Sequence, residues 1–124
     1  DTNMTNELKL NEYQDKAMST CLESCANIVY MLNGLTAEVG EVNDLIAKWV
    51  RKGIARIDNN MLVFNTSDAA VRVEELIKEI GDCTWFLSGL SKVLGVPFND
   101  VGQINLDKLA ARKSEGTIIT HKDH

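Results

Sequence analysis

Two acidic pairs carry the clearest chemical signal in the chain: Glu38 and Glu41, separated by Val39-Gly40, and Glu79 and Asp82, separated by Ile80-Gly81. Residues three apart share a helical face, so each pair presents two carboxylates side by side. If the helices that carry them pack antiparallel, four carboxylates converge. Like charges in a partly dehydrated space repel strongly unless cations neutralise them. Ligation by oxygen alone favours a hard cation, and Mg²⁺ takes few carboxylates, leaving its other positions to water and phosphate oxygens. The plainer reading makes these acids the solvated faces of amphipathic helices; the matching of the two pairs argues against it.

Basic residues offer the complementary chemistry. Lys108 and Arg112, four apart on one helical face, suit a phosphate clamp, with Arg supplying a bidentate fork and Lys a point charge. Lys48, with Arg51 and Lys52, either complements a helix dipole or contacts phosphate. Trp49 and Trp85 fall on apolar faces, where core packing is the default, although Trp85 lies one helical turn past Asp82 and is the better placed of the two to stack on a base. Cys21, Cys25 and Cys83 read as reduced core thiols, and with His121 and His124 confined to a polar tail neither a zinc site nor a di-iron bundle is supported.

Composition bounds the rest. The 124 residues suit one domain over 1–124, with 44% hydrophobic and 25% charged residues, ordinary for a folded globular chain. A net charge of −5 argues against polymeric nucleic acid as a partner, and no apolar run suggests a membrane span. The expected location is cytoplasmic.

To position the acids, the chain must be largely helical. Leu10, Tyr13, Ala17, Cys21 or Leu22, Cys25 and Ile28 mark a first helix, and Leu35, Val39, Val42, Ile46, Trp49 and Val50 a second that stops at Gly53. Residues 53–67 form a connector, with a short hairpin expected at Asn59-Asn60. Ser67 or Asp68 caps a long third helix ending at Gly95, and Pro97 opens a fourth segment. Segments 1–8 and 117–124 read as flexible ends. The fold class is all-α, a four-helix-type bundle with too little core to stand alone, so completion as a homodimer or homotetramer is expected.

The acidic spacing resembles the metal motif of the all-α nucleoside triphosphate pyrophosphohydrolases, and Gly34-Leu35-Thr36-Ala37-Glu38-Val39-Gly40-Glu41-Val42 looks like the MazG-like version. Glu79-Ile80-Gly81-Asp82-Cys83-Thr84-Trp85-Phe86-Leu87 and Asn105-Leu106-Asp107-Lys108-Leu109-Ala110-Ala111-Arg112 are similar to that family's later blocks, in the same order. The resemblance implies Glu38, Glu41, Glu79 and Asp82 as metal ligands, Mg²⁺ as cofactor with Mn²⁺ as a substitute, and a nucleoside triphosphate cleaved between its α- and β-phosphates to a monophosphate and pyrophosphate. It further implies that Lys108 and Arg112 meet the triphosphate and that Gln14 and Asn27 face the base, although polar groups on a first helix are more often surface residues. Glu41 is the first choice as general base, with Glu38 second. The stretch 53–67 is longer than the family pattern. The competing reading is a non-catalytic helical interaction or nucleotide-binding regulatory module.

Overall fold

The structure, a computed structural model, describes residues 7–116. The chain runs α1 (Leu10–Met18), α2 (Ile28–Arg51), β1 (Ala55–Asp58), β2 (Met61–Phe64), α3 (Ala69–Val93) and α4 (Phe98–Ser114). It is mostly helical, as the periodicity indicates, with one small hairpin added.

The expected first helix, Leu10 to Ile28, is two elements. Beyond Met18 the hydroxyls of Ser19 and Thr20 turn back to the carbonyls of Lys16 and Ala17. These short polar side chains compete for backbone groups and close the helix. A single 3₁₀ turn at Glu23–Cys25 follows, and Asn27 caps α2 by accepting from the Tyr30 N–H at 2.8 Å. Ile28 therefore opens α2, and that helix starts a full two turns before Leu35.

The end of α2 follows the glycine signal. Gly53, at φ 73°, lets its own N–H bond Val50 O (3.1 Å) while Ile54 N–H bonds Trp49 O (2.8 Å), closing two carbonyls the helix leaves open. Gly95, at φ 75°, repeats the arrangement after α3, with bonds from Gly95 and Val96 to Lys92 O and Ser91 O. Asn59 and Asn60 both take positive φ (51° and 66°), the conformation a two-residue turn between antiparallel strands requires. The hairpin folds over the end of α2, where Phe64 meets Trp49 edge-on at 5.4 Å and the Arg72 guanidinium lies over the indole at 5.9 Å. Asp68 occupies the cap position of α3 but makes no side-chain cap bond; its carboxylate binds Thr66 and Arg72 instead.

The two long helices set the site. Met31 of α2, fully buried, lies where a side chain on Gly89 of α3 would stand, and Phe86 of α3 fills the space beside Gly34 of α2. Contacts climb one helix as they descend the other, so α2 and α3 are antiparallel and approach closely at these two glycines. A Cβ at either would overlap its neighbour.

The short helices are tied on by amides. Gln14, 5% exposed, donates through Nε2 to Ser88 O (3.1 Å) and Val96 O (3.2 Å) and accepts from the Phe98 N–H (3.1 Å). Asn11 and Asn99 each accept from the other's backbone N–H, joining the first turns of α1 and α4. Trp85 Nε1 donates to Ala17 O and Thr20 Oγ1, both at 3.1 Å, holding the end of α1 against α3.

Candidate metal centre

The register fixed by Gly34 and Gly89 carries the acidic pairs into opposition one and two turns further along. Glu38, Glu41 and Glu79 offer carboxylate oxygens all within 4.8 Å of one another. Asp82 stands close enough to act on Glu38 and Glu79 electrostatically, but it is outside that group of three. Glu38 and Glu79 are half-buried, Glu41 and Asp82 exposed.

The electrostatics are those of a site short of positive charge. Burial raises the Glu38 carboxyl above its ordinary value, followed by the charges of Glu41, Asp82 and Glu79. Glu79 is raised likewise, by burial first and then by Glu41, Asp82 and Glu75. Cys83, next to Asp82, has its thiol pushed up by burial and by Glu38, Asp82 and Glu79. Two buried oxygens, Glu38 Oε2 and Glu79 Oε1, have no hydrogen-bond partner. A buried carboxylate oxygen without a donor is costly, and an oxygen-ligated divalent cation between the helices would remove that cost. The donor set therefore fits such an ion.

A cavity of about 220 Å³ opens beside the cluster, lined by Glu41, Asp44, Leu45 and Lys48 of α2 and by Glu75 and Glu79 of α3. Asp44 and Glu75 are site-facing residues that the motif reading passes over. The signal for them was present: Asp44 lies three residues after Glu41 and Glu75 four before Glu79, extending each acidic row by one turn.

Residues 27–117 match the family model of the MazG nucleotide pyrophosphohydrolase domain. The chain belongs to that family. It is also similar to the gene 37 protein of Mycobacterium phage L5, with 30% identity over 98 residues, covering 77% of this chain and 75% of the phage protein. No solved structure matches. Membership brings a nucleotide pyrophosphohydrolase-type function, in a family whose enzymes are typically metal-dependent. The MazG match begins at Asn27, so α1 lies outside it.

The remaining candidates are dispersed. Lys48 lines the cavity. Lys108 and Arg112 sit on α4, which packs against α1 and α3, and neither lines the cavity; Arg112 is already engaged within the chain. Trp85 is half-buried, its ring edge-on to Phe86 at 4.9 Å and its N–H committed to α1. Gln14 is buried, where the sequence suggested a surface residue, and its amide is bonded to three backbone groups. Asn27 uses its carbonyl oxygen as a helix cap. Among the described residues, no helix is long and apolar enough to cross a membrane.

Proposed function

We propose that this chain is a Mg²⁺-dependent nucleoside triphosphate pyrophosphohydrolase, cleaving between the α- and β-phosphates to release a nucleoside monophosphate and pyrophosphate. The observation that carries the reading is the pair of buried, unpartnered oxygens on Glu38 of α2 and Glu79 of α3, gathered with Glu41 in the α2–α3 groove. Glu38, Glu41 and Glu79 hold the cation, with Asp82 completing the acidic end. Bound there, Mg²⁺ neutralises the carboxylates and screens the phosphate oxygens of the substrate.

The chain's own groups do the rest. Glu41, the exposed member of the three, takes the proton from a water directed at the α-phosphorus, with Glu38 the second choice for that role. Lys48 supplies positive charge within the cavity, and Lys108 and Arg112 are the phosphate-binding cations that the family resemblance assigns to α4. Mn²⁺ substitutes for Mg²⁺ because it accepts the same oxygen donors.

The working unit is a homo-oligomer, a dimer or a tetramer. Among the described residues the buried apolar side chains are Met31, Trp49, Ala55 and Phe98, a small core. Ile77, Ile80 and Leu87 of α3, with Leu94 at its C-cap, are 44% to 61% accessible. Large apolar side chains left exposed along one helix support an association face. Light scattering on the eluted protein giving monomer mass would remove this part.

The deciding test is turnover with Mg²⁺ across canonical and modified nucleoside triphosphates, products separated by chromatography. Monophosphate plus pyrophosphate, abolished by chelation, is expected. Diphosphate plus phosphate would put the cleavage at the wrong bond, and no turnover on any substrate would favour a regulatory nucleotide-binding module.

A further inference from the structure

The cavity has a direction. Glu41 and Glu79 belong both to the cluster and to the cavity, and from them the lining runs away from Glu38 and Asp82 toward Asp44, Glu75 and Lys48. Lys48 is the one cation on that lining among the described residues, and it enters no ion pair with the acids there. An exposed lysine surrounded by Glu41, Asp44, Glu75 and Glu79, yet bonded to none of them, has its ammonium available to a ligand. Helical side chains lean toward the N-terminus of their own helix, so Lys48 reaches back along α2 toward the acids. Lys48 is two helical turns past Glu41, roughly 10 Å along the axis, and the backward lean of its side chain shortens that separation toward the span of a polyphosphate.

We infer that Lys48 anchors the leaving pyrophosphate, so that the substrate lies along the α2–α3 groove with its β- and γ-phosphates toward the hairpin end and its nucleoside toward the Gly34–Phe86 end. This rests on the pyrophosphohydrolase reading, because that reading puts the α-phosphorus at the acidic cluster. The lining also bears on the form in which the ligand enters. With four carboxylates around it, a bare polyphosphate is repelled, and only a polyphosphate that arrives with its own cation is accepted. The ammonium then contributes one charge-assisted contact at the far end.

The experiment measures equilibrium binding of pyrophosphate with Mg²⁺, and separately of the four common deoxynucleoside monophosphates with Mg²⁺, to wild type, Lys48→Met and Arg51→Met. Methionine keeps the apolar stem of Lys48, and Arg51 lies outside the cavity lining, so it serves as the charge control. Lys48→Met should weaken pyrophosphate binding about tenfold or more, the worth of a charge-assisted hydrogen bond, with monophosphate binding unchanged; Arg51→Met should change neither. Equal weakening of both ligands, no weakening of pyrophosphate, or a wild type without affinity for pyrophosphate would overturn the assignment. A wild type that binds pyrophosphate through Lys48 but hydrolyses no triphosphate keeps the anchor and removes the catalytic reading. Turnover to monophosphate and pyrophosphate with Lys48→Met binding pyrophosphate normally does the reverse.

Discussion

At the junction of α1, α3 and α4, Gln14 is buried and every polar atom of its side chain is bonded, to Ser88 O, Val96 O and the Phe98 N–H. Between α2 and α3, Glu38 and Glu79 also bury oxygens, yet Glu38 Oε2 and Glu79 Oε1 have no partner. Both places remove polar groups from water, and only one repays the cost within the chain. A saturated network of this sort holds helices in place. An unsaturated one of like charges destabilises the fold until something from outside fills it, and under the proposed function that something is the cation, with the amide junction as scaffold.

The largest effect should come from Glu41→Gln. Removing the exposed carboxylate of the cluster is expected to lower kcat by about a hundredfold or more while leaving the helical circular dichroism intact. Near-normal kcat in the purified variant would take Glu41 out of the chemistry. On the scaffold side, Gln14→Ala should cost about 2 to 4 kcal/mol, because it leaves buried backbone groups without partners; denaturant unfolding measures this, and a loss below about 0.5 kcal/mol would dissolve the contrast between the two regions.

Next in size is the response to metal. Saturating Mg²⁺, at about a hundred times its dissociation constant, should stabilise wild type by about 2 to 3 kcal/mol, seen as a higher Tm. Glu38→Gln and Glu79→Gln should lose that response and, in chelator, melt above wild type, since each removes a buried charge facing others. Equal Mg²⁺ shifts in wild type and both variants would place the ion elsewhere.

The smallest effect concerns a pair outside both regions. Thr66 first, and then Arg72, hold the Asp68 carboxyl below its ordinary value. Such a group contributes stability that is present above its unfolded value and is lost as pH falls through the folded one. Asp68→Asn should therefore lower Tm slightly at neutral pH and not in strong acid. A difference that persists unchanged into acid would show that the Asn acts through something other than charge.

Much of this was legible in residue type and spacing. The acidic pairs announce themselves because a helix repeats its face every three or four residues, and Gly53, Gly95 and Asn59-Asn60 mark the places where φ turns positive. The break after Met18 was hidden, because Cys21, Cys25 and Ile28 continue a helical apolar spacing while Ser19 and Thr20 end the helix through side-chain bonds that periodicity does not register. Gln14 was hidden for a related reason. A glutamine among polar neighbours looks solvated, and its partners at Ser88, Val96 and Phe98 lie far along the chain. Asp44 and Glu75 look like surface charge until the antiparallel register puts them in one cavity.

The hairpin between β1 and β2 also bears on how quickly the groove forms. Asp58 pairs with Met61 across a two-residue turn, so the segment joining the long helices zips up through contacts close in sequence. With the connection shortened in this way, bringing α2 and α3 together closes a smaller loop, and the entropy lost in that search falls with the logarithm of loop length. Chains with low contact order fold fast. The hairpin thus shortens the search by which Glu38 and Glu41 of α2 meet Glu79 of α3.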